Sequence, residues 1–136
     1  MKKTLLSVLA VIIIMTLTSC SSSNSSSNFE FDKDSAIFRA KEAVEVVNTR
    51  DYEEIVKLFR EDLREQVKAD EIKSALDSQL KKAGDFTKYE SETAVAQKQS
   101  GTEYIIVVLV CKYENSTLIF TISLDTDMNI VGLYMK

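Results

Sequence analysis

Tyr104-Ile-Ile-Val-Val-Leu-Val-Cys-Lys-Tyr113 is the stretch whose reading decides the fold. It is rich in β-branched residues, which suit a pleated strand better than a helix. At ten residues it is too short to cross a bilayer as a helix, which takes about 20 apolar residues. In a strand, alternate side chains point to opposite faces. Ile105, Val107, Leu109 and Cys111 therefore share one face, and Tyr104, Ile106, Val108 and Val110 share the other. Both faces are apolar, so this strand sits in the middle of a sheet. Downstream, Glu114-Asn115-Ser116 reads as a tight turn. From Thr117 to Leu124 the chain alternates, with Leu118, Phe120, Ile122 and Leu124 on one side. Asp125 to Asn129 forms a second turn, and Ile130 to Met135 a last strand. Upstream, Phe86 to Gln97 is a more polar strand with an interruption near Glu90.

Before Gly84 the period is helical. Ala36, Ala40, Ala43, Val44 and Val47 recur at helical spacing, with Ile37 and Phe38 widening the stripe. Asp34 or Ser35 is the expected cap, and Asn48-Thr49 the end. A short helix is expected over 51–59, with Tyr52, Ile55, Val56 and Phe59 on one side. A third fits 70–83, with Ile72, Leu76 and Leu80 in line and Lys81 and Lys82 in the last turn, where cations suit the helix dipole. Gly84 is the expected left-handed stop. Helices followed by a meander make an α+β domain: about three helices on a curved four-stranded antiparallel sheet. Three short helices cover one side of such a sheet. The face of Val108 is then hidden either by curvature or by a homodimer through the sheet.

The first 28 residues have a different character. Lys2 and Lys3 form a basic end, Leu5 to Thr16 an apolar run, and Leu17-Thr18-Ser19-Cys20 an aliphatic residue, two small residues and a cysteine. This is the pattern of a bacterial lipoprotein signal, with the Cys20 thiol as the lipidation site. Two acyl chains there make a stable anchor where one chain is marginal. Ser21 to Asn28 contains only serine and asparagine and reads as a flexible tether with an end-to-end distance of about 15 Å. The expected organisation is a signal over 1–19, a lipidated Cys20 and linker over 20–28, and one folded domain over 29–136. The expected location is the extracytoplasmic face of the cell membrane.

Composition narrows the chemistry. The net charge is −4, and loss of Lys2 and Lys3 with the signal makes it more negative. An acidic domain is repelled by an anionic membrane surface, which argues against a polybasic membrane dock and equally against nucleic acid as a partner. The chain has no histidine, which excludes Ser-His-Asp and Cys-His catalysis and histidine-bound zinc. With Cys20 lipidated, Cys111 has no partner for a disulfide and reads as a core thiol. Asp125-Thr126-Asp127-Met128-Asn129 imitates the start of a calcium loop. The sixth and twelfth places, which need glycine and glutamate, hold Ile130 and Lys136, so a turn is expected. No metal and no cofactor are expected.

Arg50-Asp51-Tyr52-Glu53-Glu54-Ile55 with Phe59, Gly84-Asp85-Phe86, and Asp127-Met128-Asn129-Ile130-Val131-Gly132-Leu133 carry a resemblance over residues 35–135. The chain resembles an uncharacterised domain of Gram-positive lipoproteins that is sometimes joined to α/β-hydrolases. That family looks like the nuclear-transport-factor-like, or cystatin-like, superfamily. The resemblance implies helices on a curved antiparallel sheet, often as dimers, and brings no catalytic residue with it.

In such a fold the open end of the sheet can hold a pocket. The aromatic side chains expected around it are Phe38, Tyr52, Phe59, Tyr104 and Tyr134. The function expected is that of a non-enzymatic, membrane-anchored lipoprotein domain binding a small ligand or another envelope protein. One alternative is an enzyme or hydrolase-accessory domain with an acid/base site in the cone of the sheet. Another is a structural, dimerising spacer.

Overall fold

The computed structural model describes residues 25–26 and 28–136. The signal and Cys20 lie outside the described residues. Three helices, α1 (Lys33–Thr49), α2 (Tyr52–Leu58) and α3 (Ala69–Ala83), precede the main strands, with a single 3-10 turn at Glu61–Leu63. The strands are β1 (Ser25–Ser26), β2 (Phe86–Gln99), β3 (Thr102–Tyr113), β4 (Thr117–Leu124) and β5 (Ile130–Met135). They form one antiparallel sheet in the order β1-β2-β3-β4-β5. The four long strands are the meander expected, and the α+β class is as read. Ser25 and Ser26, expected within the linker, instead pair with Lys98 and Gln97 as a two-residue edge strand.

Helix ends follow local hydrogen bonding. Asp32, rather than Asp34 or Ser35, caps α1: its carboxylate accepts from the Asp34 and Ser35 N–H groups at 3.0 and 3.1 Å. It also accepts from the Ser35 hydroxyl at 2.8 Å. Asp51 caps α2 by accepting from the Glu54 N–H. Helix α3 ends against the β3–β4 hairpin. The Ala83 carbonyl accepts from the Asn115 N–H at 2.8 Å, and the Lys82 carbonyl from the Asn115 amide at 3.3 Å. The turn expected at 114–116 is thus also the cap of α3. Gly84 has φ 79° and ψ −152°, a glycine-only conformation rather than the left-handed helical one expected. A Cβ there would lie 2.6 Å from the Glu114 carboxylate.

The core lies on one side of the sheet. Ile105, Val107, Leu109, Cys111 and Tyr113 of β3 are buried, as are Leu118, Phe120, Ile122 and Leu124 of β4. Small residues on α1 (Ala36, Ala40 and Ala43) let that helix pack closely across β2, β3 and β4. Among the described residues every buried side chain is apolar, aromatic or the Cys111 thiol. The other face of the sheet carries no α-helix among the described residues; Arg60 and Leu63, at the 3-10 turn, border it at the end where Ile106 pairs with Ser123. Tyr104, Ile106, Val108 and Val110 remain partly exposed there.

Strand β2 contains two bulges. The register shifts by one residue between Phe86 and Lys88, and again between Tyr89 and Ser91. The second marks the interruption expected near Glu90. Each bulge changes which face the following residues occupy.

Candidate functional site

The five aromatic residues expected around a pocket do not meet in one. Phe59 is buried in the core, where it bridges to Ile130. Phe38 stands on the outer side of α1, 65% exposed, and Tyr134 on the helix-free face of β5, 60% exposed. Tyr104 borders a hollow of about 320 Å³ with Arg60, Leu63 and Ile106. Tyr52 borders a separate shallow hollow between α2 and α3. The scatter follows from the open sheet: with helices on one side only, there is no closed cone for these rings to line.

Tyr52 does join a polar chain. Its hydroxyl donates to Asp77 at 2.6 Å, and Lys81 contacts the other Asp77 oxygen at 2.6 Å. Burial, and then the Asp77 carboxylate, push the Tyr52 pKa up to about 12. The Lys81 ammonium and the Tyr52 hydroxyl hold Asp77 below the usual carboxylate range. Neither group changes protonation near neutral pH, so the chain works as a strut between α2 and α3 rather than as an acid/base pair.

A third hollow, of about 220 Å³, lies where α1 and α3 end, lined by Asn48, Arg50, Lys81, Asp85 and Tyr113 among others. The Tyr113 hydroxyl donates to Asn48 at 2.5 Å. Helix C-termini favour cations, which is what Arg50 and Lys81 provide. Lys81 is already paired with Asp77, and Asp85 adds a carboxylate to the lining, so the hollow offers little attraction for an anion.

The sequence resembling a calcium loop is a turn. Asp125 accepts from the N–H groups of Asp127 and Asn129, from the Asn129 amide and from Arg60. Burial alone would raise its pKa, but these donors outweigh burial and lower it. Among the described residues no group of three or more metal-ligating side chains occurs. Cys111 is buried, and burial first, then Glu92, pushes its thiol up to about 12.

The surface that remains is the helix-free face of the sheet. Its apolar part is Val95, Ile106, Val108, Val110, Ile119 and Tyr134, contiguous across β2 to β5 by register. Val95 is 49% exposed. At one end stand three lysines. Lys88 lies directly opposite Lys112, and Lys136 exchanges backbone hydrogen bonds with Ile119. Among the described residues none of the three has an ion-pair partner. No Asp or Glu occupies an outward register position of β2 to β5; Glu90 is the extra residue at the bulge.

A family model for proteins of unknown function, DUF3887, matches residues 40–133, more than half of the chain. The chain belongs to the DUF3887 family. A solved structure described as the NMR structure of a protein from Ruminococcus gnavus ATCC 29149 is similar at 30% identity and a TM-score of 0.69. The match covers 77% of this chain and 91% of that one. No curated protein matches.

The DUF3887 region contains the Tyr52–Asp77–Lys81 strut and nearly all of the open face. It ends before Lys136 and begins after Cys20. The lysine cluster was the feature that reading the sequence missed. Lys112 shares parity with Val108 and was visible in principle. Lys88 was not, because only the bulge at Glu90 brings an even-numbered residue of β2 onto the face of Ser91, Thr93 and Val95.

Proposed function

We propose that this chain is a lipid-anchored, extracytoplasmic binding module rather than an enzyme, and that the open face of its sheet is the contact surface. The anchor rests on Leu17-Thr18-Ser19-Cys20 after a basic end and a short apolar run. Among the described residues no helix is long and apolar enough to cross a membrane, so attachment by this domain would depend on the lipid or on a surface. Kinship with the nuclear-transport-factor-like or cystatin-like folds belongs to the same reading, supported by helices on one side of an antiparallel meander.

The observation that carries the binding half is the contiguous, half-exposed block of Val95, Ile106, Val108, Val110, Ile119 and Tyr134. Helices do not cover it, and such a patch on a small domain marks an interaction surface. The anchor is tested by acyl labelling in growing cells. Wild-type protein should take up label and lose its first 19 residues, whereas Cys20→Ala should stay unlabelled and unprocessed. Label retained by Cys20→Ala would remove the anchor.

A further inference from the structure

We infer that the open sheet face docks on an anionic lipid bilayer, with Lys88, Lys112 and Lys136 on headgroups and the apolar block against the interface. The inference rests on the proposed lipid anchor for its geometry, but not for its chemistry. The chain is acidic overall, with 21 Asp and Glu against 17 Lys and Arg. Net charge alone predicts repulsion from such a surface. The fold reverses that prediction locally. Of the carboxylates on the long strands, Glu92 and Glu103 hold helix-facing register positions and Glu90 is the exposed extra residue at the bulge, so the outward register positions carry three cations and no acid. Lys88 and Lys112 are also a direct cross-strand pair of like charge, an arrangement that costs stability in a free domain. An anionic plane relieves that cost. A second copy offers no carboxylate at the outward register positions of its own sheet to offset it.

The tether suits the same geometry. Ser25 pairs with Lys98 at the sheet edge, and Cys20 is five residues away. Five residues span at most about 17 Å. A lipid on Cys20 therefore holds the Lys98 end of the β2 edge within that distance of the bilayer, whereas eight fully extended residues would reach about 28 Å.

The chain has no tryptophan, so one substitution makes one reporter. Tyr134→Trp reports from the open face and Phe38→Trp from the exposed side of α1. Each full-length protein is reconstituted in vesicles of phosphatidylcholine, with or without phosphatidylglycerol, whose acyl chains carry bromine as a quencher. The Tyr134→Trp emission should shift to the blue and be quenched only when phosphatidylglycerol is present. The Phe38→Trp emission should be unaffected by either vesicle. Each lysine near an anionic surface is worth about five-fold in partitioning, so Lys88→Gln, Lys112→Gln and Lys136→Gln together should reduce docking about 100-fold. If Tyr134→Trp fails to fold, Val95→Trp reports from the same face. No quenching on phosphatidylglycerol vesicles overturns the inference. A blue shift that follows protein density rather than lipid charge assigns the face to a second copy and also overturns it. Acylation is read separately on the same samples. Unacylated protein that is still quenched on anionic vesicles keeps the docking and removes the anchor; acylated protein that is never quenched does the reverse.

Discussion

Leu109→Ala tests the one-sided core most directly. Leu109 has no exposed surface and lies opposite Phe120 in the register of β3 and β4. The substitution removes three carbons from a packed site. At about 0.8 kcal/mol per buried methylene, the lost transfer free energy alone is about 2.4 kcal/mol. The cavity left behind adds to this, because β3 is held by pairing on both sides and cannot collapse into the gap. The expected loss is therefore about 3–5 kcal/mol, within the range for buried leucines. That is a large part of the roughly 5–15 kcal/mol that holds a small domain together. The matched control is one residue away. Val108 points to the open face and is only partly covered, so Val108→Ala should cost less than about 1 kcal/mol. Urea unfolding followed by circular dichroism measures both. With a slope of about 1–3 kcal/mol per molar, Leu109→Ala should lower the midpoint by at least about 1 M and Val108→Ala by much less. Equal losses in the two variants would refute the assignment of core and open face. So would a loss below about 0.5 kcal/mol for Leu109→Ala.

Further outcomes follow from the same geometry. Cys111 should react slowly with a thiol reagent in the folded protein and rapidly in denaturant, since its buried thiol is protonated at neutral pH; fast labelling of the native protein would contradict its place in the core. Burial raises the pKa of Tyr52, Tyr89 and Tyr113, the first two to about 12. A raised folded-state pKa gives stability that is complete below the unfolded value near 10 and is lost as pH rises through the folded one. The domain should therefore weaken as pH climbs from about 10 to about 12, and Tyr52→Phe should flatten part of that decline. Ultraviolet titration showing these three hydroxyls ionising near pH 10 in folded protein would rule the account out.

Element type was legible because the hydrophobic period changes cleanly at Gly84. Ala36, Ala40, Ala43, Val44 and Val47 announce one helix face, and all five are buried. Thr117 to Leu124 alternates, and its four buried residues are the four apolar ones at even positions. Boundaries were less legible where several residues compete for one role. Asp32, Asp34 and Ser35 can all cap a helix, and Asp32 prevails because its carboxylate reaches two N–H groups and the Ser35 hydroxyl together. The pairing of Ser25 and Ser26 could not be read at all. Serine carries no pattern, and an edge strand of two residues draws its order from the backbone of Gln97 and Lys98.

The site was harder to read than the fold because it depends on phase rather than on type. A strand with two apolar faces does not say which one the helices take. In β3 the deciding neighbours are distant in sequence: α1 packs against the strand, whose Leu109 face is buried while Val108 on the other stays partly exposed. Aromatic identity was equally uninformative. Phe59 and Tyr134 are both large and mostly apolar, yet one fills the core beside Ile130 and the other stands on the open face. The bulge at Glu90 then moves Lys88 to the face opposite the one that uninterrupted alternation from Val95 would give it. One extra residue thus decides whether a lysine lies beside the core or stands next to Lys112 on the half-apolar surface that also carries Lys136. A cross-strand lysine pair without a carboxylate is locally unfavourable, and its place beside a patch that no helix covers gives the open face a preference for anionic partners that the chain's overall charge conceals.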